Sequence, residues 1–236
     1  MFPRVAILID GGFFLKRLPS LQPYPSNGDK VTHIVKSLDW LITAHLKKIN
    51  ETVGLPEPWA MLYRIFYYDA APYPDNAHLP ISKRNIKFGV SKEAKLREGL
   101  FAALRRKRKF ALRLGHVSRE KGWTLKEGRL KALLSGQLMI DALQDSDFEL
   151  GLRQKGVDMR IGLDISSLAF KKQVDKIVLV SGDSDFVPAA KVARREGIEF
   201  ILDHMWINVS DTLFEHVDGT WNGLNRKGNT SDAQEQ

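Results

Sequence analysis

The sequence predicts an α/β protein in which a mainly parallel sheet of about five strands lies between two layers of helices. Three observations carry this. Short apolar runs rich in β-branched residues, at 5–9 and 177–180, read as strands buried on both faces. Helix-period segments separate such runs, as right-handed βαβ crossovers require. The 236 residues, 43% of them hydrophobic, suffice for a sizeable core.

Residues 5–9 form the first strand and end in Asp10-Gly11-Gly12, a tight turn. Residues 19–30, rich in Pro, Ser, Asn and Gly, read as a loop. A helix is expected over about 31–51, where Ile34, Leu38, Leu41, Ile42 and Leu46 recur at helical spacing; Leu55-Pro56-Glu57-Pro58 ends it. Residues 61–68 read as the second strand, and 69–84, with three prolines, as a long surface loop. Ser91 caps a helix from Lys92 to about Arg108, with Glu93 in its first turn. Residues 110–117 alternate as a third, partly exposed strand. A helix falls within 125–143 and an acidic loop over 141–149. Residues 158–170 and 186–195 are helical, and 177–180 and 198–202 are the fourth and fifth strands. The chain reads as one domain over 1–218, with a basic insertion around 85–150, followed by a frayed polar tail over 219–236.

The formal net charge is +8, yet residues 92–131 hold fourteen Lys or Arg against four Glu, which leaves the remainder slightly acidic. Such concentration points to a polyanion partner, nucleic acid first. Arg105, Arg106, Lys107, Arg108 and Lys109 form its densest part and are candidates for tracking a phosphate backbone. The absence of cysteine excludes disulfides, zinc–thiolate sites and thiol nucleophiles. No apolar run approaches the ~18 residues of a membrane span, and the first residues lack a signal-peptide pattern. A soluble, cytoplasmic protein without a membrane partner is expected, and a homo-oligomer is compatible with the sequence.

Asp183 and Asp185 follow the run 177–180 through Ser181-Gly182, where that strand should end. Open α/β sheets bind ligands at the carboxyl ends of their strands. One of the two acids can cap the helix that follows, but a pair this close repels unless a cation lies between. Asp10 closes the first strand, and parallel topology brings it to the same edge; alone it reads as a turn aspartate. Asp158 opens a helix after Gly156, where favourable placement on the helix dipole is the simpler reading. Asp164 falls on the stripe of Val157, Ile161, Ile165 and Leu168, so it must be paired, hydrogen-bonded or near a cation. Carboxylates from separate strand ends can converge on a hard divalent ion, and oxygen-only ligands suit Mg²⁺ or Mn²⁺. Such an ion offsets the charge on a phosphodiester under attack.

Three segments resemble, in order, the motifs of the NYN domain of the PIN-like nuclease superfamily, in particular its bacterial LabA-like branch. They are Ile7-Leu8-Ile9-Asp10-Gly11, Lys155-Gly156-Val157-Asp158-Met159-Arg160-Ile161-Gly162-Leu163-Asp164 and Val180-Ser181-Gly182-Asp183-Ser184-Asp185-Phe186-Val187-Pro188. The resemblance runs from about Arg4 to Leu202 and is loose over 19–150. It implies a three-layer α/β/α domain and a metal-dependent ribonuclease, with single-stranded RNA favoured as substrate. It makes Asp10, Asp158, Asp183 and Asp185 both catalytic and metal-holding. Beside such a site Ser181 either holds the turn of the acidic pair or contacts metal-bound water, Lys155 reaches a substrate phosphate, and Asp164, from its place on the stripe, is either structural or stands behind the ligands. Many members carry Asn three residues after the first acid, where this chain has Phe13. That departure keeps a second reading open, a nucleic-acid-binding or regulatory module that retains the acids without turnover. A phosphatase with an aspartyl nucleophile is disfavoured, because no second acid follows Asp10 closely. Phe13, Tyr67, Tyr68, Tyr73 and Trp123 are stacking candidates that read first as core residues.

Overall fold

Val5 to Ile9 expose no surface, and the strand that contains them, β1 (Val5–Asp10), takes an inner place in a mostly parallel sheet. The computed structural model describes residues 2–226, and the chain forms two units. One holds the residues up to Asp69, Gly99–Leu114, and those from Gly156 onward; the other holds Ala70–Glu98 and Gly115–Lys155.

In the first unit, α1 (Gly11–Leu21) starts directly after β1. The sequence suggested only a turn there and a loop from residue 19. The helix forms because Asp10 Oδ1 accepts the Phe13 amide at 3.0 Å, an N-cap, and because Phe14, Leu18 and Leu21 fall on one buried face. α2 (Lys30–Val53) is capped by the Asp29 carboxylate and stops at the left-handed Gly54. β2 (Leu62–Ala71) follows, its last two residues belonging to the second unit.

The second unit fills part of the expected surface loop with a short hairpin of β3 (Asn76–His78) and β4 (Asn85–Lys87). The first turns of α3 (Lys92–Arg105) come next, capped as the sequence suggests by Ser91 Oγ, which accepts the Ala94 amide at 3.1 Å. Then follow the larger part of β5 (Phe110–Leu125), α4 (Glu127–Leu134) and β6 (Phe148–Lys155). β5 is longer than the alternation over 110–117 indicated, because its second half pairs antiparallel with β6. β6 itself begins in the stretch read as an acidic loop. Phe148, Leu150 and Leu152 alternate with Glu149, Gly151 and Arg153, a period of two masked by the acids just before it. α4 lies within the span where a helix was expected, and it ends before Gly136, which adopts a φ of 75°, outside helical space.

The first unit resumes with α5 (Val157–Phe170), β7 (Lys176–Val180), α6 (Val187–Arg195), β8 (Glu199–Asp203), α7 (Asp211–Phe214) and β9 (Gly219–Thr220). Within this unit the strand order is β5-β2-β1-β7-β8-β9. β1 runs parallel to β2 and to β7, and β8 runs parallel to β7 and to β9. Helices flank this α/β sheet, and α5 packs beside α6.

The start of the expected tail is ordered. β9 extends the sheet and Leu224 is buried. Asp203, fully buried, accepts three hydrogen bonds from three segments: His45 Nε2 of α2 (2.8 Å), the Met205 amide (2.9 Å) and the Gly223 amide (2.9 Å). Trp221 stands edge-on to His45 with ring centroids 4.8 Å apart. Polar composition hid this because the groups concerned are backbone amides and one carboxylate. Residues 227–236 of the expected tail lie outside the described residues. Among the described residues no helix is long and apolar enough to cross a membrane.

Candidate active site

Parallel register decides which side chains meet. Asp10 lies opposite Tyr68 of β2, and Ile9 lies opposite Val180 of β7. The carboxyl ends of these strands therefore emerge at one edge, with Asp10 closing β1, Asp69 two residues before the end of β2, and Ser181-Gly182-Asp183 after β7. Adjacent strands are about 4.8 Å apart, so three neighbouring strands bring their acids to the same edge. Two glycines allow the turns to close. A Cβ on Gly11 would meet the Tyr68 carbonyl at 2.6 Å, and one on Gly182 would collide with Ile207 and touch the Phe13 ring at 3.1 Å. Phe13 thus braces the turn that carries the acidic pair.

Burial pushes the Asp10 carboxyl up to about 6; the charges of Asp158 and Asp69 add to the rise, and the Phe13 amide opposes it. Asp158, in the first turn of α5, is also raised, by burial and then by Asp183 and Asp185. Asp158 therefore links the opening-strand acid to the late pair. Asp183 Oδ1 accepts the Asp185 amide at 2.9 Å, and the buried Ser181 Oγ accepts the Asp183 amide at 3.3 Å. Among the described residues no Lys or Arg forms a salt bridge with Asp10, Asp158, Asp183 or Asp185.

Asp69 is the acid that sequence reasoning missed. It is fully buried and follows the run 65–68 as Asp10 follows 5–9. That shared signature, an acid directly after an apolar run, was available; the Pro-rich stretch after it drew Asp69 into a loop. The donor chemistry of this edge is carboxylate throughout and fits a hard divalent ion. The side chains do not form a closed cage: among the described residues no group of three or more His, Cys, Asp or Glu could hold a metal ion.

Asp164 Oδ2 accepts from Tyr68 Oη and from Arg113 Nε, both at 2.9 Å, which answers the demand of its apolar stripe for a partner. Burial, with Asp164 alongside, pushes the Tyr68 phenol well above its ordinary value. Lys155, at the end of β6, pairs with Glu120 of β5. The run 105–109 ends α3 and turns at the opposite edge of the sheet. Lys109 accepts the Ile65 amide at 2.9 Å and donates through Nζ to the carbonyl of Leu62, the first residue of β2. That edge is about 20 Å of strand away from Tyr68. Lys107 is paired with Asp39 at 2.8 Å, whereas Arg105, Arg106 and Arg108 are exposed. Tyr67 and Tyr68 are fully buried and offer no face for stacking. Trp123 Nε1 donates to the His78 carbonyl at 2.8 Å.

Comparison with known proteins adds three findings. Residues 104–213 match the family model of the NYN domain, which supports a place in the NYN/PIN-like superfamily. The matched stretch contains Asp158, Asp183 and Asp185 but neither Asp10 nor Asp69. Over 64 residues the chain is 31% identical to "Uncharacterized protein MJ0482" of Methanocaldococcus jannaschii, an alignment covering 27% of this chain and 27% of that protein. The chain thus spans about a quarter of that relative's length. Among solved structures it is similar to a protein of unknown function, VPA0982 from Vibrio parahaemolyticus RIMD 2210633. The identity is 16%, the TM-score 0.44, and the coverage 94% of this chain and 96% of that one.

Proposed function

Given the NYN match over residues 104–213, we propose that the protein is a metal-dependent ribonuclease of the PIN-like superfamily, nearest to its LabA-like branch and acting in the cytoplasm. Its substrate is single-stranded RNA, and Asp10, Asp158, Asp183 and Asp185 hold Mg²⁺ or Mn²⁺. One observation supports this above all. Four carboxylates reach one edge of the sheet, two of them have a raised proton affinity traced partly to neighbouring acids, and none has a cationic side chain as salt-bridge partner among the described residues. A divalent ion held there supplies Lewis-acid stabilisation of the charge that develops on a phosphodiester.

The chain's own groups orient the acids. The Phe13 amide fixes Asp10, and the Asp185 amide and the Ser181 hydroxyl fix the turn bearing Asp183. Buried Asp69 adds to the rise in the proton affinity of Asp10. Arg105, Arg106 and Arg108 make backbone contacts that do not read sequence. Because they stand at the far edge of the sheet, only a strand several nucleotides long reaches both places. The test is release of nucleotides from single-stranded RNA with Mn²⁺ and with a chelator. Equal release in both overturns the metal role, and no release in either overturns hydrolysis.

Phe13 favours a second reading, binding without turnover. Where an amide side chain would address water or phosphate, a ring packs against Gly182. Retention of RNA by the protein without metal-stimulated cleavage selects that reading.

A further inference from the structure

Asp158 and Asp185 have a second role in the architecture: they line one end of a groove between α5 and α6. The groove has a volume of 380 Å³, and most of its wall is apolar or small, with Met159, Gly162 and Leu163 from α5 and Pro188, Ala189 and Val192 from α6. α5 buries Val157, Ile161 and Ile165 on its inner face, yet leaves Met159 71% and Leu163 62% exposed. Large apolar side chains left in water beside carboxylates suit a ligand that is charged at one end and apolar at the other.

Gly162 is the telling residue. It sits in the middle of a helix, where glycine is destabilising relative to alanine. Its φ is not positive, and a Cβ there would meet nothing within 4 Å. Neither backbone conformation nor packing therefore calls for glycine at this position. What it does is keep the floor of the groove open. The hydroxyl in the wall, Ser166 Oγ, donates to the Gly162 carbonyl at 2.9 Å and so is committed within the helix.

We propose that this groove receives the nucleobase of the nucleotide whose phosphate lies at the acids. The inference rests on the reading of those acids as a phosphodiester site. Once a divalent cation held by the acids offsets its charge, a nucleotide has the required form, an anionic phosphate joined to a flat ring with apolar faces within one sugar's reach. The wall gives few polar groups to read base edges, so the groove selects a single unpaired base by shape and tolerates base identity. A base held in a duplex cannot enter, which limits the substrate to single strands.

The test uses Gly162→Leu, whose Cβ meets nothing within 4 Å and whose side chain favours the helix, with folding of the variant checked by circular dichroism. The probes are a labelled single-stranded oligo-uridine decamer and the same strand with one internal base missing. Binding is read by fluorescence anisotropy and cleavage in Mn²⁺ by gel. The wild-type protein is expected to bind the intact strand about tenfold more tightly than the abasic one, the scale of one accommodated base, and Gly162→Leu to remove that difference. Equal affinity of the wild-type protein for both strands overturns the groove, even if the protein cleaves them. Discrimination without cleavage overturns the hydrolytic reading and leaves the groove standing. Binding of neither strand overturns both. If light scattering shows a wild-type dimer that Gly162→Leu dissociates, with no discrimination between strands, the groove belongs to a second copy of the chain and the proposal falls.

Discussion

The two edges of the sheet in the first unit solve opposite electrostatic problems. At the edge where the strands begin, charges meet counter-charges: Lys107 reaches Asp39, Arg4 reaches Asp175, and Lys176 reaches Glu199. Lys109 has a backbone carbonyl for its ammonium. At the edge where the strands end, Asp158 feels the charges of Asp10, Asp183 and Asp185, and the hydrogen bonds that steady Asp10 and Asp183 come from amides of their own turns. The first arrangement is one that stability alone would favour. The second is one that stability alone would not favour, and the proposed active site rests on this contrast.

The sharpest way to break that contrast is Asp183→Asn. The amide oxygen can still accept the Asp185 amide, so the fold is kept while a negative charge is lost. Metal-dependent cleavage of single-stranded RNA should fall by about 100-fold or more. Undiminished cleavage would make the acidic edge a curiosity of the fold.

Asp10→Asn tests the repulsion directly. The Asp10 carboxyl lies at about 6 in the folded protein against an ordinary 3.8, so the folded state binds the proton more tightly than the unfolded one. Its contribution is most favourable below pH 4 and is lost as pH rises through about 6. The full penalty above that range is about 3 kcal/mol at 1.36 kcal/mol per pH unit. Urea unfolding of metal-free protein at pH 8 should therefore find Asp10→Asn more stable than the wild type, with the gap closing near pH 4. Mn²⁺ should narrow it by stabilising the wild type alone. A variant less stable at pH 8 would mean that the carboxylate is favourably placed as it stands.

A smaller effect is expected at the other edge. Replacing Arg105, Arg106 and Arg108 together by Gln should weaken RNA binding and flatten the slope of log affinity against log salt by about 2, at ~0.7 per phosphate on a single strand. An unchanged slope would leave the basic turn a solvated face. Smallest of all is Lys107→Gln, which separates a partly exposed pair from Asp39. It should alter stability by only about 0.2–1 kcal/mol in thermal unfolding and leave the salt slope in place.

Much of this contrast was legible in the residues. Apolar runs fixed β1, β7 and β8, and parallel topology carried Asp10 to the side of Asp183 and Asp185. Asp164 announced its need for a partner, but not that Tyr68 and Arg113 would meet it, because both lie far away in the chain. Asp69 bore the same signature as Asp10 and was masked by the prolines that follow it. β6 was hidden because an antiparallel strand with one polar side looks like the loop before it. The run 105–109 declared its charge and nothing of its position; only the contacts of Lys109 with Leu62 and Ile65 assign it to the amino edge.

The triple acceptor at Asp203 bears on how the protein should be produced. Ending an expression clone at residue 218, where hydrophilic composition invites the cut, would remove the Gly223 donor and uncover the His45 ring. A dry carboxylate deprived of one of its three donors costs about 1–3 kcal/mol, a sizeable share of what holds a domain of this size together. The closing stretch through Arg226 works as a latch on the long second helix, and a purification handle is better attached beyond it than in place of it.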